Sequence, residues 1–108
     1  MRENKYQAGL IKRIKERFPD SIVLKNDASY KQGIPDLTVL YGDRWATLEV
    51  KQSKDARHRP NQDYYVEKMN SLSFSSFISP DNEQEVLDAM ERSFNGRSRR
   101  RTRNLRSE

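Results

Sequence analysis

With 108 residues, 34% of them charged and 33% hydrophobic, the chain can bury one modest core and no more. It has no cysteine, which excludes disulfides, thiolate metal sites and cysteine nucleophiles together. The charge of +5 is concentrated: residues 1–94 hold 15 Lys/Arg against 15 Asp/Glu, while residues 95–108, NGRSRRRTRNLRSE, hold six arginines and one glutamate.

No run approaches the roughly 20 apolar residues of a membrane helix. The opening MRENKYQAGL lacks the apolar centre of a signal peptide, so a cytoplasmic protein with no membrane partner is expected.

In chain order, Tyr6, Leu10, Ile11, Ile14 and Phe18 recur at helical spacing over residues 3–18, and Pro19 stops the pattern. SIVLK (21–25) is a short β-branched run, and KNDASYKQG (25–33) is rich in turn formers. DLTVLY (36–41) and RWATLEVK (44–51) are two strands around Gly42-Asp43. Pro60 suits a first helical position and opens a second helix through Leu72. SFSSFI (73–78) alternates as a fourth strand. Pro80 and Asp81 open a third helix with Val86, Leu87, Met90 and Phe94 as its apolar positions. The order α-β-β-β-α-β-α predicts an α/β domain over residues 1–94 with a small mixed sheet flanked by helices.

A Gly-Asp turn with glycine first suits a two-residue type II′ hairpin. Facing residues then sum to 85, so Leu40 faces Trp45, Thr38 faces Thr47, and Asp36 faces Glu49. Directly opposed side chains lie about 4.5–5.5 Å apart at Cβ, and like charges there repel. Glu49 and Lys51 share one face, while Leu37, Val39, Ala46, Leu48 and Val50 make the other face uniformly apolar. Two carboxylates and an ammonium thus converge at one end of the hairpin.

Lys51 could neutralise the acids in a plain ion pair, although burying three charges is a poor route to stability. A divalent cation suits the pair better. Mg²⁺ prefers carboxylate oxygens at about 2.0–2.1 Å and keeps several waters. In the first helix Glu3 projects towards the apolar face; it is either a further partner of this site or an acid favoured at the helix's positive end. Gln62 shares a face with Tyr65, Val66 and Met69. It needs a polar partner there unless it sits at the edge. Tyr30, Tyr64 and Tyr65 could stack on bases, with Tyr65 the one expected in the core.

Gly33-Ile34-Pro35-Asp36, then twelve residues, then Glu49-Val50-Lys51, resembles the PD-(D/E)xK nuclease signature. Within that superfamily the chain is most similar to compact phage-type, VRR-NUC-like and Holliday junction resolvase-like endonucleases, over residues 3–94. The resemblance implies a restriction-endonuclease-like α-β-β-β-α-β core and Mg²⁺- or Mn²⁺-dependent hydrolysis of DNA, structure-selective for a junction, branch or flap. It implies Asp36, Glu49 and the carbonyl of Val50 as metal ligands and Glu3 as a further ligand, directly or through water. Lys51 would be the catalytic lysine and Gln62 an accessory catalytic position. A chain this small implies a homodimer. The alternative is a non-catalytic nucleic-acid-binding protein on the same scaffold.

The basic rim is the candidate grip on the nucleic-acid backbone: Lys25, Asn26, Lys31, Lys54, Arg57 and Arg59. The Arg-rich segment, with Arg97, Arg99, Arg100, Arg101 and Arg103, is too poor in apolar residues to fold alone. It reads either as a phosphate-binding arm with strong salt dependence or as a solubilising end. His58, the only histidine, lies in a basic loop with no second His or Cys to share a metal, and is expected in solvent or on a phosphate.

Overall fold

The computed structural model describes residues 3–96. It contains α1 (Glu3–Arg17), β1 (Ile22–Lys25), β2 (Leu37–Tyr41), β3 (Arg44–Val50), α2 (Pro60–Leu72), β4 (Ser75–Ile78) and α3 (Glu83–Gly96). The four strands form one mixed sheet in the order β1-β2-β3-β4. β1, β2 and β3 run antiparallel, and the crossover through α2 returns β4 parallel to β3.

The β2–β3 register is Leu37↔Leu48, Thr38↔Thr47, Val39↔Ala46, Leu40↔Trp45 and Tyr41↔Arg44. Every pair sums to 85, as the turn required. Gly42 has φ +63° and no non-glycine residue among those described has positive φ, which is the type II′ pattern.

One face of the sheet is the core. Leu37, Val39, Ala46, Leu48, Val50 and Ile78 are fully buried against Leu10 and Ile14 of α1 and Met90 of α3. Phe18, Tyr41 and Phe94 close the turn end of this core, with ring centroids 5.3–5.5 Å apart. α2 packs on the opposite face over β3 and β4, where the Thr47 hydroxyl meets Met69 Sδ at 3.4 Å.

Two sequence expectations change here. α2 has no fully buried residue, so Tyr65 is half-buried, edge-on to the exposed Tyr64, rather than in the core. A single helix covers only half of its sheet face, and Ile22 (57% exposed) and Leu24 (45%) stay open on the other half. Pro80 and Asp81 form a turn ahead of α3. Asn82 ties that turn together, its side chain accepting the Ser79 N–H at 2.8 Å while its carbonyl takes the Val86 N–H of the first helical turn at 3.0 Å.

α1 is latched to α3 by polar contacts. Glu83 accepts from the Tyr6 hydroxyl at 2.7 Å and from Arg13 Nε and Nη2 at 2.7 and 2.9 Å. Arg17 bridges Asp88 and Glu91 at 2.7 and 2.6 Å. Removing Glu83 strands the buried Tyr6 hydroxyl, so Glu83→Ala is expected to cost about 1–3 kcal/mol in chemical denaturation, and Glu83→Gln less. Unchanged stability in Glu83→Ala would show the latch to be incidental.

Candidate metal and phosphodiester site

The acids of the hairpin lie where β2 begins and β3 ends. Continuing the register places Val50 opposite Pro35. Odd residues of β3 direct their backbone to β4, as in Thr47 N–H to Phe74 O and Lys51 N–H to Ile78 O. Val50 therefore turns its N–H and carbonyl to β2. Pro35 has no N–H to give that carbonyl, and the Val50 N–H goes to Asp36 Oδ2 at 2.8 Å. The Gly-Ile-Pro-Asp segment thus breaks the ladder where a cation would need oxygen donors. It leaves one strand carbonyl without its ladder partner and fixes one carboxylate beside it.

Glu49 is 3% exposed. Its Oε2 accepts from Gln62 Nε2 at 2.9 Å, and Lys51 Nζ stands 3.9 Å from the same oxygen. Gln62 is fixed at both ends of its amide. Its Oε1 accepts from Lys51 Nζ at 2.8 Å and from the Arg59 backbone N–H at 3.0 Å. That second bond is half of a capping box at the start of α2, so helix capping aims the amide at the site. Lys51 Nζ also donates to the Arg57 carbonyl at 3.0 Å.

The electrostatics are those of an uncompensated acid pair. Burial first, and then the Asp36 carboxylate, push Glu49 up to about 8; Lys51 offsets only part of this. Asp36 is also raised by burial, against the Val50 N–H and Lys51, which pull it down. Asp36 Oδ1 and Glu49 Oε1 receive no N–H from the described residues. Two carboxylate oxygens and a strand carbonyl are a fitting donor set for a hard dication that keeps its waters.

Glu3 lies within electrostatic reach of the pair but is less buried than expected. It is exposed in the first turn of α1 rather than turned into the core. Its carboxyl is raised by partial burial and by Asp36, and lowered by Lys51. Through charge, the Glu3 carboxylate adds to the upward push on Glu49. Among the described residues no three His, Cys, Asp or Glu converge as a ready metal cage.

Beside the carboxylates is a cavity of about 360 Å³ between the 28–34 loop and the start of α2, lined by Ser29, Gln32, Arg59, Asn61 and Gln62. Two contacts hold its loop wall. Asn61 Nδ2 donates to the Gln32 carbonyl at 3.3 Å, and Gly33 (φ +92°) packs so closely that a Cβ would fall 2.7 Å from Asn61 Cγ. Asn61 carried no signal in the sequence, because its role depends on the loop folding over α2.

The basic rim divides. Arg59 lines this cavity. Lys25, Lys31, Lys54 and Arg57 are exposed. Asn26 is engaged internally, its Nδ2 donating to the Pro35 carbonyl and Thr38 Oγ1, both at 2.9 Å. Arg97, Arg99, Arg100, Arg101 and Arg103 lie outside the described residues.

The metal-free protein should lose stability as pH rises. Glu49 binds its proton more tightly folded than unfolded, so the folded state holds more protons between pH 4.5 and about 8, and stability falls across that window. The lowered acids Glu83, Asp27 and Asp88 act at lower pH. Melting temperatures in EDTA should therefore decline from pH 5 to 8.5 in wild type and change much less in Glu49→Gln. Parallel profiles would contradict the assignment.

No protein-family model, curated protein or solved structure matches the chain.

Proposed function

We propose that the protein is a divalent-metal-dependent endonuclease of the PD-(D/E)xK type. It would hydrolyse DNA phosphodiester bonds, preferably in branched or flapped structures. The observation that carries this reading is the half-buried Asp36 beside the buried Glu49, with a lysine too weakly placed to neutralise both. The element order from α1 to β4 is the one expected of a restriction-endonuclease-like core.

Mg²⁺ or Mn²⁺ held by Asp36, Glu49 and the Val50 carbonyl would polarise a phosphate oxygen and make a nearby water more acidic. The rest is work for the chain's own groups. Gln62 locks the Glu49 carboxylate and the Lys51 ammonium in one arrangement before substrate arrives. Lys51 gives two N–H groups to Arg57 and Gln62 and keeps a third, which can orient the attacking water or offset charge on the phosphate as the bond breaks. Rigid placement of this kind spares reorganisation in the transition state. Association of two copies belongs to the same reading, with Ile22, Leu24 and Leu40 on the uncovered sheet face available for it.

Supercoiled plasmid and synthetic four-way and flapped DNAs, incubated with Mg²⁺, Mn²⁺ or EDTA, test the proposal. Wild type should cut only with metal. Asp36→Asn and Lys51→Ala should each lower the rate by about 10²-fold or more, the scale of losing one charge-stabilising group. Binding without cleavage under all metals would favour the non-catalytic alternative, and cutting that survives either substitution would overturn the site.

A further inference from the structure

A second cavity, of about 190 Å³, adjoins Lys51 in the cleft between the 51–59 segment and the turn before α3. Its polar walls are Lys51, Ser53, Lys54, His58, Ser79 and Asn82, and none of its lining side chains is a carboxylate. The His58 ring lies flat on Phe77, centroids 3.7 Å apart and planes 10° from parallel, with Nδ1 3.0 Å from Asp63 Oδ1. Histidine is thereby fixed as a wall instead of moving freely in solvent. Asp81 takes the Lys54 backbone N–H at 2.8 Å, holding the strap without consuming the Lys54 ammonium. The Lys54 ammonium and the Ser53 hydroxyl have no partner among the described residues.

We infer that this cavity seats a phosphodiester of the bound nucleic-acid strand, next to the one positioned at Asp36 and Glu49. The inference rests on the nuclease reading for the identity of the polymer. The Lys54 ammonium, the Ser53 hydroxyl and the third N–H of Lys51 can donate to phosphate oxygens, while Ser79 and Asn82 are bonded to one another and no wall carboxylate repels the phosphate. Around the cavity, Asp63 and Asp81 are engaged by the His58 ring and the Lys54 backbone, and Glu49, 3.9 Å from Lys51 Nζ, belongs to the neighbouring acid pair. Lys51 lines this cavity and contacts Gln62, which lines the other, so a strand lying across the end of β3 meets both in succession. The lysine that acts on the reacting phosphate would thus stand between two consecutive phosphates, which sets the strand's path.

Salt dependence reads this directly. Binding of a labelled single-stranded oligonucleotide is measured by anisotropy in EDTA from 50 to 300 mM salt. Each neutralised phosphate contributes about −0.7 to the slope of log K against log salt. Lys54→Gln should make the slope shallower by about that amount, while Lys12→Gln on the exposed side of α1 should leave it unchanged. Ser53→Asp, which puts a carboxylate into the cavity, should weaken binding at low salt by about tenfold or more. Thermal melts check that each variant is folded. Equal slopes for wild type and Lys54→Gln, or wild-type affinity in Ser53→Asp, would overturn the seat. If wild type cuts DNA with Mg²⁺ and those slopes are equal, the seat alone falls. If the slope changes as expected but nothing is cut, the seat stands and hydrolysis falls.

Discussion

Two carboxylates forced together at the edge of the core govern this structure. Separately, Asp36 and Glu49 would ionise freely at neutral pH; side by side, with Asp36 half-buried and Glu49 buried, they compete for one negative charge, and Glu49 is pushed up to about 8. A fold that exists only to be stable would replace one of them with an apolar residue. The surroundings instead keep both acids and brace them, with the Val50 N–H on one and Gln62 on the other. The arrangement costs stability when both acids are charged, a cost that the proposed cation would relieve.

The remainder of the fold serves to make that proximity unavoidable. The apolar side chains of β2 and β3 fix which face is buried, and slipping the register by one residue would turn the whole core face outward. Gly42 fixes the turn, the turn fixes the pairing, and the pairing brings Asp36 to Glu49. Pro35 ends the ladder one step further on by lacking an N–H. α2 contributes from the other face through its capping box, which turns Gln62 from a helix-start residue into the clamp between Glu49 and Lys51.

Legibility in the sequence followed the range of each interaction. Helical spacing in α1 and α3, the strand runs and the hairpin register are local, and all four strands and three helices stand where the residues placed them, within a few positions. Asp36, Glu49, Lys51 and Gln62 come together because the hairpin and one helix start suffice to bring them there. Glu3 is more exposed than its helical direction suggested, because periodicity gives a direction without saying where the core ends, and Tyr65 is only half-buried because a helix face says nothing of how much sheet lies beneath it. The Gly33–Asn61 approach and the His58–Phe77 stack join segments about 20–30 residues apart, and no local pattern encodes them.

The most direct measurement is calorimetric titration of Mg²⁺ or Mn²⁺ into the metal-free protein near pH 7, in buffers of different ionisation enthalpy. Saturable binding that releases protons is expected, because Glu49 must give up its proton to a cation, and the signal should vanish in Asp36→Asn. Absence of binding in wild type, or undiminished binding in Asp36→Asn, would contradict the view that the acid pair is built around a dication.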